Sequence, residues 1–246
     1  MRIGTNEEMD STLLRLLRVS VSLQLLASLW SAAAEPALSC ASVNFAAHGP
    51  YHPVMALPAK YHVHDFTSND DPLPDGSWAV GKYDEVRPTL YSTEMFHDAT
   101  KSVDGFAGVR NVHVGLDIGG PPHTPVHAWY AGSVLHSGYN PDAGDYGWCV
   151  VTEHEVGGVA VYSLYGHLDE STATLSPVGR QFEAGAVLGG LGERHENGGW
   201  PPHLHFQLAL ERPTTHDLPG VVSREDRAAA LVQYPDPRLV LGPLYE

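Results

Sequence analysis

The fold is decided by Trp148-Cys149-Val150-Val151-Thr152-Glu153-His154 and Val159-Ala160-Val161-Tyr162-Ser163-Leu164-Tyr165, joined through Glu155-Val156-Gly157-Gly158. Two apolar runs around a Gly-Gly pair predict a β-hairpin. Outward from it, residues 112–118 alternate as a strand does. Residues 124–128 and 132–137 read as a further strand or hairpin pair. Residues 186–188 form a short strand after Gly185, and 203–210 a strand with alternating character. This spacing predicts a compact antiparallel β-domain, not βαβ units. The 25 Gly and 19 Pro fit short strands and many turns.

The flanks differ from this core. Residues 41–110 are rich in Pro, Gly, Asp and aromatics and read as a lead-in with one or two strands that wraps the core. Near the C-terminus, Ser223 with Asp226 three positions on opens a helix over 227–233, which Pro235 and Pro237 stop. Residues 239–244 read as an apolar tail docked on the domain. The expected organisation is an extension or signal at 1–40, a lead-in at 41–108, a catalytic domain at 109–212 and a C-terminal extension at 213–246. Residues 19–34 are apolar, follow Arg15 and Arg18, and end in Ala32-Ala33-Ala34, as a cleaved signal does. Glu7, Glu8 and Asp10 spoil its basic start, so a buried helix or an extension fits as well. The stretch is too short and interrupted for a stable membrane span. It leans towards a secreted or periplasmic location over a cytoplasmic one.

The 246 residues, 43% of them hydrophobic, suffice for a substantial core. The net charge of -15, with 14 Lys+Arg and no basic cluster, argues against a nucleic-acid partner. Two cysteines, Cys40 and Cys149, are too few for a disulfide framework, and Cys149 in its apolar run reads as a buried thiol.

Three segments carry chemistry: His113-Val114-Gly115-Leu116-Asp117, Tyr165-Gly166-His167-Leu168 and Pro202-His203-Leu204-His205-Phe206. In a strand, residues two apart share a face. His203 and His205 therefore face one way while Leu204 and Phe206 face the core. Two imidazoles on an apolar strand are costly unless their nitrogens are paired or ligated. A zinc site needs a third ligand, which His113 or Asp117 can supply if the chain bends at Gly115. Four imidazoles and one carboxylate exceed the three ligands of an open hydrolytic site, leaving two histidines for proton transfer and oxyanion stabilisation. Spacing does not say which bind and which catalyse.

These segments resemble the lysostaphin-type zinc endopeptidases, with their HxxxD and HxH signatures, over roughly residues 108–210. The match includes Thr124-Pro125-Val126, Gly132-Ser133-Val134 and the run from Gly185 to Gly192. The resemblance implies that His113, Asp117 and His205 hold one Zn2+ per chain. It implies that His167 and His203 are catalytic, and that zinc-activated water attacks a peptide carbonyl. The implied substrate is a peptide of bacterial peptidoglycan, in a cross-bridge or stem. The expected fold class is mainly β: a compact antiparallel, barrel-like sheet (a duplicated hybrid motif) with a short C-terminal helix. The loop 192–202 is longer and more polar than the family's usual approach to the last motif, and the segment Asn197 to Phe206, with Tyr234-Pro235-Asp236-Pro237-Arg238-Leu239, is similar to a branch fused to class III aminotransferases, whose substrate is inferred.

Other residues read more plainly. His195 and Glu196 are expected in a solvent-facing loop, and His123, His127, His136 and His154 on a sheet surface. Tyr165 and Trp200 suit groove walls or sheet-edge packing equally. Gly189-Gly190-Leu191-Gly192 lacks the Lys-Ser/Thr of a phosphate loop and reads as tight turns. Two other functions compete with the peptidase: a domain that binds glycan or peptide without cutting, and a zinc amidohydrolase of a small metabolite. The sequence leaves the oligomeric state open.

Overall fold

Long alternating strands form the centre of the molecule. In the computed structural model, which describes residues 43–68, 74–98, 100 and 102–246, β8 (Gly147–Val156) and β9 (Val159–Leu168) pair antiparallel from Val156↔Val159 to Trp148↔Leu168. Gly157 and Gly158 turn the hairpin at φ 61° and 82°, where a side chain would be strained. Neighbouring residues of β8 point to opposite faces, and both faces are covered. Val150 joins a core with Leu204, Phe206, Leu116 and Trp129, while Val151 joins another with Val114, Leu164 and Tyr234. Fully burying a Leu or Phe contributes about 1.5–3 kcal/mol, so Leu204 and Phe206 fix the register of their strand strongly. Residues 1–40, including the apolar stretch at 19–34 and Cys40, lie outside the described residues.

The other strands are β1 (His62–His64), β2 (Ala79–Gly81), β3 (Glu85–Val86), β4 (Val112–His113), β5 (Leu116–Gly119), β6 (Pro125–His127), β7 (Gly132–Asn140), β10 (Gln181–Phe182), β11 (Val187–Gly190), β12 (His203–Ala209) and β13 (Val221–Val222). The main sheet has eight strands in the order β1-β2-β5-β12-β9-β8-β7-β10. Two smaller sheets, β11-β6 and β13-β4-β3, complete the set. Helix α1 (Thr172–Leu175) follows β9, and α2 (Arg227–Gln233) and α3 (Arg238–Leu241) end the chain.

The expected antiparallel, barrel-like sheet is corrected. The sheet is mixed, because β1 runs parallel to β2. It is also open: its order starts at β1 and ends at β10 with no pairing between them. The lead-in supplies β1, β2 and β3, and β2 extends the main sheet at β5. Residues 112–118 are two strands in two sheets, not one. Residues 124–128 and 132–137 do not pair with each other; β6 pairs with β11, and β7 with β8 and β10. The C-terminal helix falls on 227–233 as expected, and the apolar tail begins as a further helical turn.

Candidate metal centre

The chain breaks between β4 and β5, so His113 belongs to the small sheet and Asp117 to the large one. The bend occurs at Gly115, where a Cβ would collide with the His205 ring; only glycine leaves room for that imidazole. Asp117 and His205 are direct register partners on β5 and β12. Gly166 pairs with His205 on the other side and brings His167 alongside. His167 has φ 63°, a left-handed conformation that costs a non-glycine residue on the order of 1–3 kcal/mol.

His113 Nε2, Asp117 Oδ1 and His205 Nδ1 form a triangle. Its edges are 3.0 Å between the two imidazoles, 3.2 Å from His113 to Asp117 and 3.3 Å from His205 to Asp117. Ligands of a tetrahedral zinc, each about 2.0–2.2 Å from the ion, stand about 3.3–3.6 Å apart. The geometry fits one metal ion, and these three residues can hold it. The protons agree. Lys82 O, which can only accept, lies 2.9 Å from His113 Nδ1, so that nitrogen carries the hydrogen and Nε2 is bare. Gln207 Oε1 lies 3.0 Å from His205 Nε2, which leaves His205 Nδ1 bare. Two lone pairs and a carboxylate oxygen thus face one another, an arrangement that a cation satisfies and a hydrogen bond does not.

Backbone carbonyls orient the other two histidines the same way. His167 Nδ1 donates to Asn197 O at 2.9 Å, and His203 Nδ1 to Pro201 O at 2.7 Å. Their rings lie 4.3 Å apart, tilted by 34°, and His203 Nε2 is 3.8 Å from Asp117 Oδ1. Burial lowers the pKa of His113 to about 4, with the Arg87 charge adding to it. Burial also pushes His203 down and His167 well below the usual imidazole range, the latter helped by its histidine neighbours. These three rings are neutral at pH 7, as ligands and proton acceptors must be. For Asp117, burial acts upward, but His113 and Arg87 outweigh it and hold the carboxyl well below its ordinary value.

All five residues are buried, from 1% exposed at His113 to 8% at His203. They line a cavity of about 80 Å³, walled by Phe66, Tyr91, Phe96, Tyr146 and Trp200. Asp145, Asp217 and Arg110 also line it. Burial, with Asp145 nearby, pushes the Asp217 carboxyl up to about 7.

Several sequence expectations change here. Trp200 and Tyr146 are walls, whereas Tyr165 is wholly buried in the core. Glu196 is not solvent-facing: it is buried and accepts from the Glu170 and Glu193 amides, while His195 is exposed. His154 is buried, not on a surface. His123 bonds Asp169, His127 bonds Gly185 O and His136 bonds Pro213 O, all outside the cluster. Cys149 is a buried free thiol. The lead-in residues Arg87 and Tyr91, which reach the centre from outside the motifs, and Glu85, which stands behind Arg87, are not legible as site residues in the sequence. The one signal is an alternating acid–Val–base triplet, Glu85-Val86-Arg87, that puts opposite charges on one strand face.

Residues 111–216 match the model of Peptidase family M23. Among curated proteins none matches the chain. Among solved structures, the catalytic domain of lysostaphin from Staphylococcus simulans is similar at 23% identity, over 60% of this chain and 89% of that one, with a TM-score of 0.37. The catalytic domain of the prophage-encoded M23 protein EnpA from Enterococcus faecalis has 22% identity, over 60% and 93%, with a TM-score of 0.38. A zinc-containing peptidase from Vibrio cholerae has 20% identity, over 65% and 36%, with a TM-score of 0.35. The family match spans the converging His113, Asp117 and His205, and with them the chain carries the catalytic site of an M23-family zinc metallopeptidase.

Proposed function

We propose that the chain is a zinc-dependent metalloendopeptidase that cuts peptide bonds in peptidoglycan cross-bridges or stem peptides. The observation that carries this reading is a three-ligand cluster with two spare, neutral, carbonyl-held imidazoles beside it. His113, Asp117 and His205 would hold one zinc per chain. When bound, zinc lowers the pKa of a coordinated water to about 7 and polarises a carbonyl. His167 and His203 each offer a bare Nε2 that can take a proton. Once protonated, the ring can donate that proton to the developing oxyanion or the leaving amine. Asn197 O and Pro201 O steady each ring as its charge changes, because the Nδ1–H bond strengthens on protonation. Cell-wall peptide lies outside the cytoplasm, and the chain would act there. Among the described residues no helix is long and apolar enough to cross a membrane.

One observation favours a second reading, hydrolysis of a small amide. The five residues are buried beneath the Tyr91, Tyr146 and Trp200 rings, which narrows the approach to them and suits a slender or small substrate. No comparison points to the branch fused to aminotransferases. The test is zinc content after purification without chelators, followed by mass spectrometry of products from muropeptides and small amides. Amide cleavage that chelator removes and zinc restores supports the peptidase reading, with the substrate that turns over naming the class. A chain that takes up no zinc sinks it, and zinc without turnover on either panel leaves only a binding role.

A further inference from the structure

Arg87 is 2% exposed, and every edge of its guanidinium is used. Nη1 donates to Asp117 Oδ2 at 2.7 Å and to Tyr91 Oη at 2.9 Å. Nε donates to Glu85 Oε2 at 3.0 Å, Nη2 reaches Lys82 O at 3.3 Å, and the Phe66 ring lies 4.5 Å from the guanidinium carbon. Space for this comes from Gly81, the register partner of Asp117 on β2. A Cβ there would stand 2.9 Å from Arg87 Nη2 and 3.0 Å from Asp117 Oδ2. Lys82 O also accepts from His113 Nδ1, so the same short segment touches two of the three candidate ligands.

We propose that Arg87 is the positioning residue of the metal centre: it occupies Asp117 Oδ2 so that the carboxylate offers the metal Oδ1 alone. A carboxylate ligand can bind through one oxygen or two. Bidentate binding would fill the place that an open hydrolytic site keeps for water or substrate. A charged, planar, five-donor group fixed on both sides is what holds one carboxylate oxygen away from the ion. A buried Arg between two carboxylates is also the arrangement in which its own charge is balanced, Glu85 serving on the side away from the metal. The lead-in is then part of the catalytic unit. A fragment starting at the HxxxD segment would lack the residue that shapes its coordination.

This inference rests on the metal reading above, and the experiment separates the two. Zinc affinity is measured by competition with a chromophoric chelator. The visible absorption of the cobalt(II)-substituted protein is recorded for the wild type and for Arg87→Met. The expected result is a weaker cobalt band in the variant, the sign of a higher coordination number. A loss of zinc affinity of about 10–100-fold should accompany it. A cobalt spectrum unchanged from wild type overturns the inference, whatever the affinity, and leaves the metal reading intact. A wild-type chain that binds neither metal overturns both. If circular dichroism shows Arg87→Met unfolded, Arg87→Lys is read by the same criterion. It keeps the buried charge but, as a single point donor, cannot span Glu85 and Asp117.

Discussion

His154 and His205 are both histidines of the eight-stranded sheet, and both are buried, yet they do opposite things. His154 is provided for by its own surroundings. Its Nδ1 donates to Ala131 O at 3.1 Å, its Nε2 lies 2.7 Å from the Thr152 hydroxyl, and its ring packs 4.7 Å from Trp129. His205 has one nitrogen on Gln207, while the other faces His113 Nε2 and Asp117 Oδ1, neither of which brings it a proton. Burial, residue type and strand position do not distinguish a core histidine from a ligand. The direction of the lone pair that nothing in the protein satisfies does.

This contrast can be broken at its strongest point first. Zinc at a hundred times its Kd should stabilise the wild type by about 2.7 kcal/mol. His205→Ala should lose that stabilisation, its metal uptake and all hydrolysis, as read by thermal melts with and without zinc and by metal analysis. Next, His167→Ala and His203→Ala should each keep the metal while turnover falls by about 10²–10⁴-fold, measured by product formation at matched zinc content.

The core histidine should answer the other way. His154→Ala should lower stability by about 2–4 kcal/mol, from a cavity and an abandoned Thr152 hydroxyl, while zinc uptake is unchanged. Burial lowers the pKa of His154 to about 4, below its ordinary 6.5. Between those values the unfolded chain holds the extra proton, so stability is full above pH 6.5 and falls as the pH drops towards 4. The loss from this group is at most about 3 kcal/mol. Urea melts at pH 7 and pH 4.5 should give a smaller difference for His154→Phe than for the wild type. The smallest effect belongs to the surface: Arg194→Ala breaks an ion pair with Asp75 whose partners are 51% and 58% exposed. It should cost under about 1 kcal/mol in the same melts and leave turnover untouched.

Most of the central sheet is legible before folding, because period-two patterning and the Gly157-Gly158 turn are local. The bend at Gly115 is legible for the same reason: His113 and Asp117 are too far apart on a straight strand to share an ion. The lead-in is not. Its strands are two or three residues long, too short for any period to register, and β1 and β2 pair in parallel although fourteen residues separate His64 from Ala79. The barrel-like expectation failed there, since an antiparallel pattern in the core says nothing about the hand or direction of strands added at its edge. Arg87 and Glu85 were hidden by the same shortness, and Glu196 and His154 by their polarity, which suggests surface until partners are seen.

By itself, the order of residues determined that His203 and His205 share one face of a strand whose other face is apolar, and that the chain bends between His113 and Asp117. Apolar neighbours such as Leu204 and Phe206 can be buried in only one way once the strand forms. Only the tertiary structure decided which nitrogen of each ring is bare, which wall encloses the site and which arginine takes the spare oxygen of Asp117. Those follow from carbonyls and guanidinium groups brought in from distant segments, and their approach depends on packing that no local pattern encodes.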